Sequence, residues 1–206
     1  HTRSLCDWSS DVCSSDLSIG VEYMDIPDKD QRTWLQERIE PCLNNPGLSD
    51  DESRKILARL MAAEEFEQFL HTRYIGQKRF SLEGGESLVP LLDELVSTGS
   101  ELGVDEVVIG MAHRGRLNVL AHLLHKPYEN ILADFEGADL SDRADNEGDV
   151  KYHKGYSYDH VTENGRKVHL SLSFNPSHLE LVNPVIEGIV YAKQSYLHDA
   201  EGQRVV

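Results

Sequence analysis

The feature that most constrains the fold is a short apolar run at residues 107–111, Val-Val-Ile-Gly-Met, which ends directly in the polar sequence Ala-His-Arg-Gly-Arg-Leu-Asn. A run of this length that is rich in β-branched side chains predicts a buried strand. In α/β proteins, ligands bind at the carboxyl ends of such strands. We therefore expect a ligand site where this strand ends, close to His113, Arg114 and Arg116.

Predicted helices alternate with predicted strands through the second part of the chain. Strands are predicted at residues 106–111 and 168–174. Helices are marked by apolar residues at three- and four-residue spacing, and they are predicted at residues 87–96, 115–124, 127–135 and 179–196. This alternation is typical of an α/β protein with a mostly parallel sheet flanked by helices.

A helical segment precedes this pattern. Asp28, which follows a proline, favours a helix start, and a later Asn-Asn-Pro-Gly sequence favours its end. A second helix is predicted after Ser49, because Ser49 and Glu52 have the spacing of a capping box. We therefore divide the chain into a helical support segment at 18–73 and an α/β domain at 74–206. The predicted buried side of the second helix carries Ile56, Leu57, Leu60, Met61, Phe66, Phe69 and Leu70.

The N-terminal residues differ from the rest of the chain. Residues 1–17 show neither helical nor strand periodicity, and residues 7–17 have the sequence that an in-frame read through a common sequencing-library adapter encodes. We therefore expect this segment to be foreign to the protein. Without it only Cys42 remains, so no intramolecular disulfide is expected and an intracellular compartment is favoured. Residues 202–206 have the sequence of a turn entering a new strand, so we expect an internal fragment of a longer polypeptide.

Charge and hydropathy argue against two classes of partner. The formal net charge is −16 at pH 7, which disfavours binding to nucleic acid and to anionic membrane surfaces. No apolar run approaches the roughly 20 residues that a membrane-spanning helix needs. We therefore expect no nucleic-acid partner and no membrane span.

Four polar motifs are candidates for a common site: residues 79–85, 113–118, 151–157 and 175–178. Their histidines could stabilise an anion or transfer a proton near neutral pH. Their arginines could bind a carboxylate or phosphate through two hydrogen bonds. Taken singly, each histidine is also compatible with a structural role and each arginine with a surface ion pair. The candidates are His113, His153, His178, Arg79, Arg114 and Arg116.

Two further histidines raise the question of a metal site. His122 and His125 lie three residues apart on one predicted helix. Neither a cysteine pair nor a His-Glu-x-x-His motif accompanies them, so a zinc hydrolase is disfavoured. We expect both to be exposed helix residues. The sequence also lacks a nucleophile elbow and a Walker loop.

Taken together, the four motifs resemble a known family. The sequences Arg-Phe-Ser-Leu-Glu-Gly-Gly, Gly-Met-Ala-His-Arg-Gly-Arg-Leu-Asn, Gly-Asp-Val-Lys-Tyr-His and Phe-Asn-Pro-Ser-His-Leu-Glu resemble, in this order, the thiamine-diphosphate-dependent E1 component of the 2-oxoglutarate dehydrogenase complex. The resemblance extends from about residue 19 to residue 206. It implies that the α/β domain is the first part of a thiamine-diphosphate-binding fold, with thiamine diphosphate and Mg as cofactors.

The resemblance also implies roles for individual residues. The family's two substrate-facing histidines correspond to His113 and His153, and the serine that helps to select the dicarboxylate corresponds to Ser157. An arginine near the diphosphate corresponds to Arg114. The Mg-binding motif, and the glutamate that activates the cofactor, are expected beyond residue 206. We therefore expect no metal ligand in this chain and no activity from the chain alone.

For the complete protein, the resemblance implies oxidative decarboxylation of 2-oxoglutarate, with transfer of the succinyl group to the lipoyl group of E2 dihydrolipoyl succinyltransferase. It also implies a homodimer, located in the bacterial cytoplasm or the mitochondrial matrix. Imidazolium and hydroxyl donors suit a substrate with two carboxylates. Tyr158 stands where the family usually has serine, so 2-oxoadipate is an alternative substrate. A noncatalytic interaction or scaffold role is a second alternative.

Overall fold

A computed structural model of the chain describes residues 21–41, 47–136, 150–162, 165–176 and 178–206. The chain divides into two compact units, His1–Ser53 and Arg54–Val206. The segment at 1–17 that we expect to be foreign lies outside the described residues. The division between a helical segment and an α/β domain at residues 73 and 74 stays a prediction.

The first unit contains helix α1 (Lys29–Ile39). Asp28 caps this helix, because its carboxylate accepts a hydrogen bond from the backbone N–H of Gln31 at 2.9 Å. The helix therefore begins where the sequence predicts. None of the residues of α1 is buried.

Helix α2 (Asp50–Arg73) begins with the predicted capping box. The Ser49 hydroxyl accepts a hydrogen bond from the backbone N–H of Glu52 at 3.3 Å, and the Glu52 carboxylate accepts one from the backbone N–H of Ser49 at 2.7 Å. These two bonds satisfy donors that the first turn of a helix leaves without partners. The start of α2 is thus confirmed.

The buried side of α2 is narrower than predicted. Phe66 and Leu70 are buried as expected, but Leu57, Met61 and Phe69 are about half exposed. The prediction was wrong for these three residues because apolar periodicity alone does not show how wide a stripe the neighbouring elements cover. The buried residues of α2 are Ala63, Phe66, Glu67 and Leu70, which share one face at three- and four-residue spacing.

The sheet of the second unit contains β1 (Glu106–Ile109), β2 (Tyr156–Val161) and β3 (Lys167–Leu172) in the order β1-β3-β2. Strand β1 is parallel to β3, whereas β2 is antiparallel to β3. The sheet of the described residues is therefore mixed, and the expectation of a mostly parallel sheet was wrong. Strands β2 and β3 are joined by a short hairpin, and a connection that short permits only antiparallel pairing.

Four helices cover the sheet and its ends, close to the predicted places. They are α3 (Leu88–Leu102), α4 (Arg116–Asn118), α5 (Tyr128–Glu136) and α6 (Asn183–Leu197). A π-helical turn, Val119–Leu123, continues α4, and a short 3-10 helix, Val150–Tyr152, precedes β2. The predicted helices are confirmed, although α3 extends further and α6 begins later than expected.

The main core lies between one face of the sheet and the helices α2 to α5. Leu120, Leu123 and Leu124 from the π-helical turn and its end pack with Leu170 and Val168 of β3. Helix α6 lies beside β1, where Gly110 permits close approach, because a Cβ atom there would clash with the Ile186 side chain. The core thus holds β1, whose carboxyl end carries the predicted site.

Among the described residues, no helix combines the length and apolar character required to cross a membrane.

Candidate functional site

The loop after β1 leads the chain from the sheet into α4. Gly115 closes this loop with a φ of +75°, a left-handed conformation that glycine adopts without strain. Its backbone N–H donates to the carbonyl of Phe80 at 3.1 Å. A Cβ atom at Gly115 would lie 2.6 Å from the Leu82 side chain, so the loop after β1 and the loop at 79–85 are in direct contact.

The structure brings together the two histidines that the sequence singled out. The rings of His113 and His153 meet edge to face, with 6.1 Å between their centroids. The His113 ring also stacks on the ring of Phe80, at 4.5 Å between centroids and 19° between planes. Two separate motifs thus place imidazoles side by side at the carboxyl end of β1.

A backbone carbonyl orients the His153 ring. The Nδ1 atom of His153 lies 2.7 Å from the carbonyl oxygen of Asn175. A carbonyl can only accept, so Nδ1 carries a proton and donates; Nε2 then accepts a hydrogen bond in the neutral form of the ring and donates one in the imidazolium form. Asn175 is buried, and its side-chain amide donates to the carbonyl of Tyr152 at 3.1 Å. The third and fourth motifs are therefore joined through Asn175.

Arg114 lies beside the loop at 79–85. Its side chain is exposed, and Nη1 donates to the carbonyl of Ser81 at 2.8 Å. A guanidinium has five N–H donors, so a single carbonyl does not use its capacity to bind an anion. The chemistry of Arg114, with His113 and His153 nearby in the chain fold, fits an anionic ligand such as a diphosphate or a carboxylate.

The contacts of Arg116 favour a structural role. It is completely buried and donates to the backbone carbonyls of Met111 (3.1 Å), Lys154 (2.8 Å) and Ser173. Burial lowers its pKa to about 10. The alternative of a surface ion pair was wrong, because Arg116 is completely buried. Its guanidinium connects the loops that follow β1, precede β2 and follow β3, so the role as an anion clamp is less favoured.

Arg79 also has partners within the fold. Its Nη1 atom donates to the backbone carbonyl of Glu67 at 3.1 Å and lies 3.8 Å from the carboxylates of Glu67 and Glu83. Its Nη2 atom lies 2.9 Å from Nδ1 of His71. These contacts favour a structural role for Arg79.

Ser157 and His178 lie on exposed parts of the fold. Ser157 lies on β2 opposite Ser171 of β3, and its side chain is exposed. The role implied for Ser157 in substrate selection stays a prediction.

His178 is exposed, and its Nδ1 atom lies 2.9 Å from the carbonyl of Pro176 within the same turn, which favours a local role for this histidine. The neighbouring Ser177 lies outside the described residues.

The expectation that His122 is an exposed helix residue was wrong. It is 6% exposed, and its ring lies 5.7 Å from that of Phe66 and 6.2 Å from that of Tyr128. Burial lowers the pKa of His122, and the charge of Arg59 lowers it further. Phe66 of α2 and Tyr128 at the start of α5 cover this side chain, which helical periodicity did not show.

His125 is mostly exposed, and its ring stacks on that of His160 at 5.8 Å and 6°. Within the described ranges, no three His, Cys, Asp or Glu side chains are grouped so that they could hold a metal ion.

Two residues at the site were not recognised from the sequence as functional. Phe80 carries the ring on which His113 stacks, and its φ of +45° is rare for a bulky side chain. Asn175 orients His153 through its carbonyl. Both lie in the quoted motifs, but their roles depend on backbone geometry, for which the sequence holds no signal.

Comparison with known proteins relates the chain to one kind of enzyme. No family model matches the chain. It is 54% identical to the 2-oxoglutarate dehydrogenase E1 component of Cupriavidus necator over 177 residues, which is 86% of this chain and 18% of the relative. It is 51% identical over 192 residues to the E1/E2 component of Corynebacterium glutamicum, covering 92% of this chain and 16% of the relative.

A third relative gives the same result. The 2-oxoglutarate dehydrogenase E1 component of Azotobacter vinelandii is 48% identical over 189 residues, covering 92% of this chain and 20% of the relative. The chain thus spans a fifth or less of the length of these curated relatives.

Proposed function

Since this chain belongs to the family of 2-oxoglutarate dehydrogenase E1 components, we propose that it is a segment of an enzyme that oxidatively decarboxylates 2-oxoglutarate and passes the succinyl group to the lipoyl group of an E2 partner. The observation that carries the proposal is the pair of imidazoles at the end of β1, with 6.1 Å between the ring centroids of His113 and His153. We propose that the complete enzyme is a homodimer of the bacterial cytoplasm or the mitochondrial matrix.

The two histidines suit the charge of the substrate. 2-Oxoglutarate carries two carboxylates, and negative charge develops on its 2-oxo oxygen when a nucleophile adds to the adjacent carbon. His113 would donate an N–H to these oxygens, and His153 would donate from Nε2 in its imidazolium form, since its Nδ1 already donates to Asn175. Donors that are fixed before the reaction stabilise developing charge without reorganisation. The hydrogen bond between His153 and the Asn175 carbonyl supplies that fixed orientation for one of the rings.

The donor set also fits the diphosphate of thiamine diphosphate. Arg114 presents an exposed guanidinium next to the loop at 79–85, and guanidinium groups bind phosphate oxygens through paired hydrogen bonds. When bound, the cofactor would supply the carbon nucleophile and the electron sink for decarboxylation. We propose that Arg114 holds the diphosphate, that Ser157 contacts the distal carboxylate, and that Mg ligands come from residues after residue 206.

A chimeric enzyme tests the proposal. The aligned 177 residues of the Cupriavidus necator E1 component are replaced by the corresponding residues of this chain, and thiamine-diphosphate-dependent turnover of 2-oxoglutarate is measured. We expect turnover, and we expect His113→Ala to lower kcat/KM by about 10²-fold or more. His178→Ala is the matched control, since His178 contacts only the carbonyl of its own turn in the contacts described above, and it should retain turnover.

The chimera also separates the alternatives. A folded, assembled chimera without turnover would contradict the proposal and favour a noncatalytic interaction role. Turnover of 2-oxoadipate in preference to 2-oxoglutarate would contradict the substrate. Neighbouring side chains along a strand point to opposite faces, so Tyr158 lies on the face of β2 opposite Ser157, where its ring is 5.2 Å from that of His125. The tyrosine therefore does not alter the face that carries Ser157, which favours 2-oxoglutarate as the substrate.

A further inference from the structure

A buried carboxylate that the proposed chemistry does not use lies beside the site. Glu67 of α2 is 2% exposed. Its Oε1 atom accepts hydrogen bonds from the backbone N–H of Leu82 at 3.1 Å and from the side-chain amide of Asn118 at 2.7 Å. Its Oε2 atom lies 3.8 Å from Nη1 of Arg79. A buried charge is costly unless it is paired and hydrogen-bonded, so these contacts define one arrangement of the surrounding chain.

The bond to Leu82 fixes the loop at 79–85. This loop contains Phe80, the residue on which His113 stacks. Phe80 adopts a φ of +45°, and a bulky residue keeps such a conformation only where its surroundings determine it. On the other side of the loop, the carbonyl of Phe80 accepts a hydrogen bond from Gly115 at 3.1 Å. The loop is therefore held from α2 at Leu82 and from the residue before α4 at Phe80 itself.

Asn118 connects the same carboxylate to the helix that follows His113. It is completely buried in α4, and besides Glu67 its amide contacts the carbonyl of Ala63 at 3.4 Å. Glu67 thus joins α2 both to the loop that carries Phe80 and to the helix that begins after the His113 loop. One carboxylate oxygen thus accepts from both Leu82 and Asn118.

We propose that Glu67 is a positioning residue for His113. By fixing Leu82 and Asn118, its carboxylate holds the ring of Phe80 against that of His113, which directs His113 towards His153. Glu67 touches neither imidazole, so it acts through the loop and takes no part in the chemistry. The significance of this placement for substrate binding rests on the proposed function, whereas the placement itself does not.

Nuclear magnetic resonance of the 206-residue chain tests the placement without cofactor or substrate. A ring stacked on Phe80 has its proton resonances displaced upfield, and Phe80→Leu defines the undisplaced position for His113. We expect Glu67→Leu to lose most of the displacement, because leucine cannot accept the two hydrogen bonds. Glu67→Gln should retain the displacement, because the glutamine amide oxygen can accept both. Glu65→Gln, an exposed change on the same helix, is the matched control and should also retain it.

Three results would overturn the proposal: an unchanged displacement in folded Glu67→Leu, an equal loss in Glu65→Gln, or no displacement in the unaltered chain. If Glu67→Leu does not fold, amide hydrogen exchange in the unaltered chain decides. The Leu82 amide, which donates to a buried carboxylate, should exchange at least tenfold more slowly than the Gly84 amide, whose hydrogen bond to Glu86 is exposed. Equal exchange rates would contradict the proposal.

Titration with 2-oxoglutarate separates this proposal from the proposed function. If the His113 resonances of the unaltered chain respond, Glu67→Leu should raise the Kd by about tenfold or more, since small misplacements of a binding group are costly. If they do not respond, the proposed function loses support while the ring displacement still decides the role of Glu67.

Discussion

The buried guanidinium of Arg116 offers a direct test of how the site is held together. Arg116 donates to the backbone carbonyls of Met111, Lys154 and Ser173, which lie in three separate loops. Replacing it by methionine in Arg116→Met keeps a long flexible side chain of similar reach but removes every donor. The loops that carry His113 and His153 then lose the group that joins them.

The magnitude follows from two opposing terms. A carbonyl that loses its donor away from water costs about 1–3 kcal/mol, so the three partly buried acceptors of Arg116 together cost roughly 6 kcal/mol. Burial lowers the pKa of Arg116 to about 10, and the difference from its ordinary value corresponds to roughly 3 kcal/mol of desolvation that the variant no longer bears. We therefore expect Arg116→Met to lower the free energy of unfolding by about 3 kcal/mol.

Urea unfolding followed by circular dichroism measures this loss. The control is Arg114→Met, which removes an exposed guanidinium with one hydrogen bond to the carbonyl of Ser81 and should change the free energy of unfolding by less than about 1 kcal/mol. An Arg116→Met variant that unfolds at the urea midpoint of the unaltered chain would refute the reasoning, as would equal losses in the two variants.

Three further predictions concern the support of the site. Because burial lowers the pKa of His122, the unfolded chain binds more protons than the folded chain below about pH 6.5. The stability contributed by His122 should therefore be full above this pH and fall as the pH drops. His122→Phe should flatten the dependence of the urea midpoint on pH, and an equally steep dependence in this variant would contradict the assignment. Ser49→Ala should weaken the start of α2 by about 1 kcal/mol, seen as faster amide exchange in its first turn, whereas an equal effect of Ser53→Ala would argue against the capping box. Gly115→Ala should destabilise the chain by about 1–3 kcal/mol because of its φ of +75° and the contact that a Cβ atom would make, while Gly188→Ala in open space on α6 should not, and thermal unfolding that ranks them in reverse would contradict the packing described here.

Local signals predicted the elements that depend on neighbouring residues. The capping box at Ser49 and the start of α1 at Asp28 involve contacts within three residues, so the sequence contains all the information needed. Strand β2 (Tyr156–Val161) was not predicted, because its extended state depends on pairing with β3 and on a hairpin that makes the sheet mixed. The narrow buried side of α2 likewise depends on what packs against it.

The site shows the same division between local and long-range information. The positions of the four motifs beside predicted strands indicated a common site, whereas the pairing of His113 with His153 as substrate-facing residues came from the family resemblance. Arg116 was misjudged because two of its three acceptors, Lys154 and Ser173, lie 38 and 57 residues away in the sequence. The left-handed backbone of Phe80 had no local signal, since a bulky residue in this conformation is uncommon.

The central claim is that His113 and His153 act together on one substrate, and a double-mutant cycle on kcat/KM tests it most directly. The chimeric E1 component is prepared with His113→Ala, His153→Ala and both changes, and turnover of 2-oxoglutarate is measured for each. Groups that act on the same developing charge are not additive, so we predict that the double variant loses less than the two single losses combined, by a coupling of about 1 kcal/mol or more. Strictly additive losses, or a single variant with unchanged kcat/KM, would contradict a shared site.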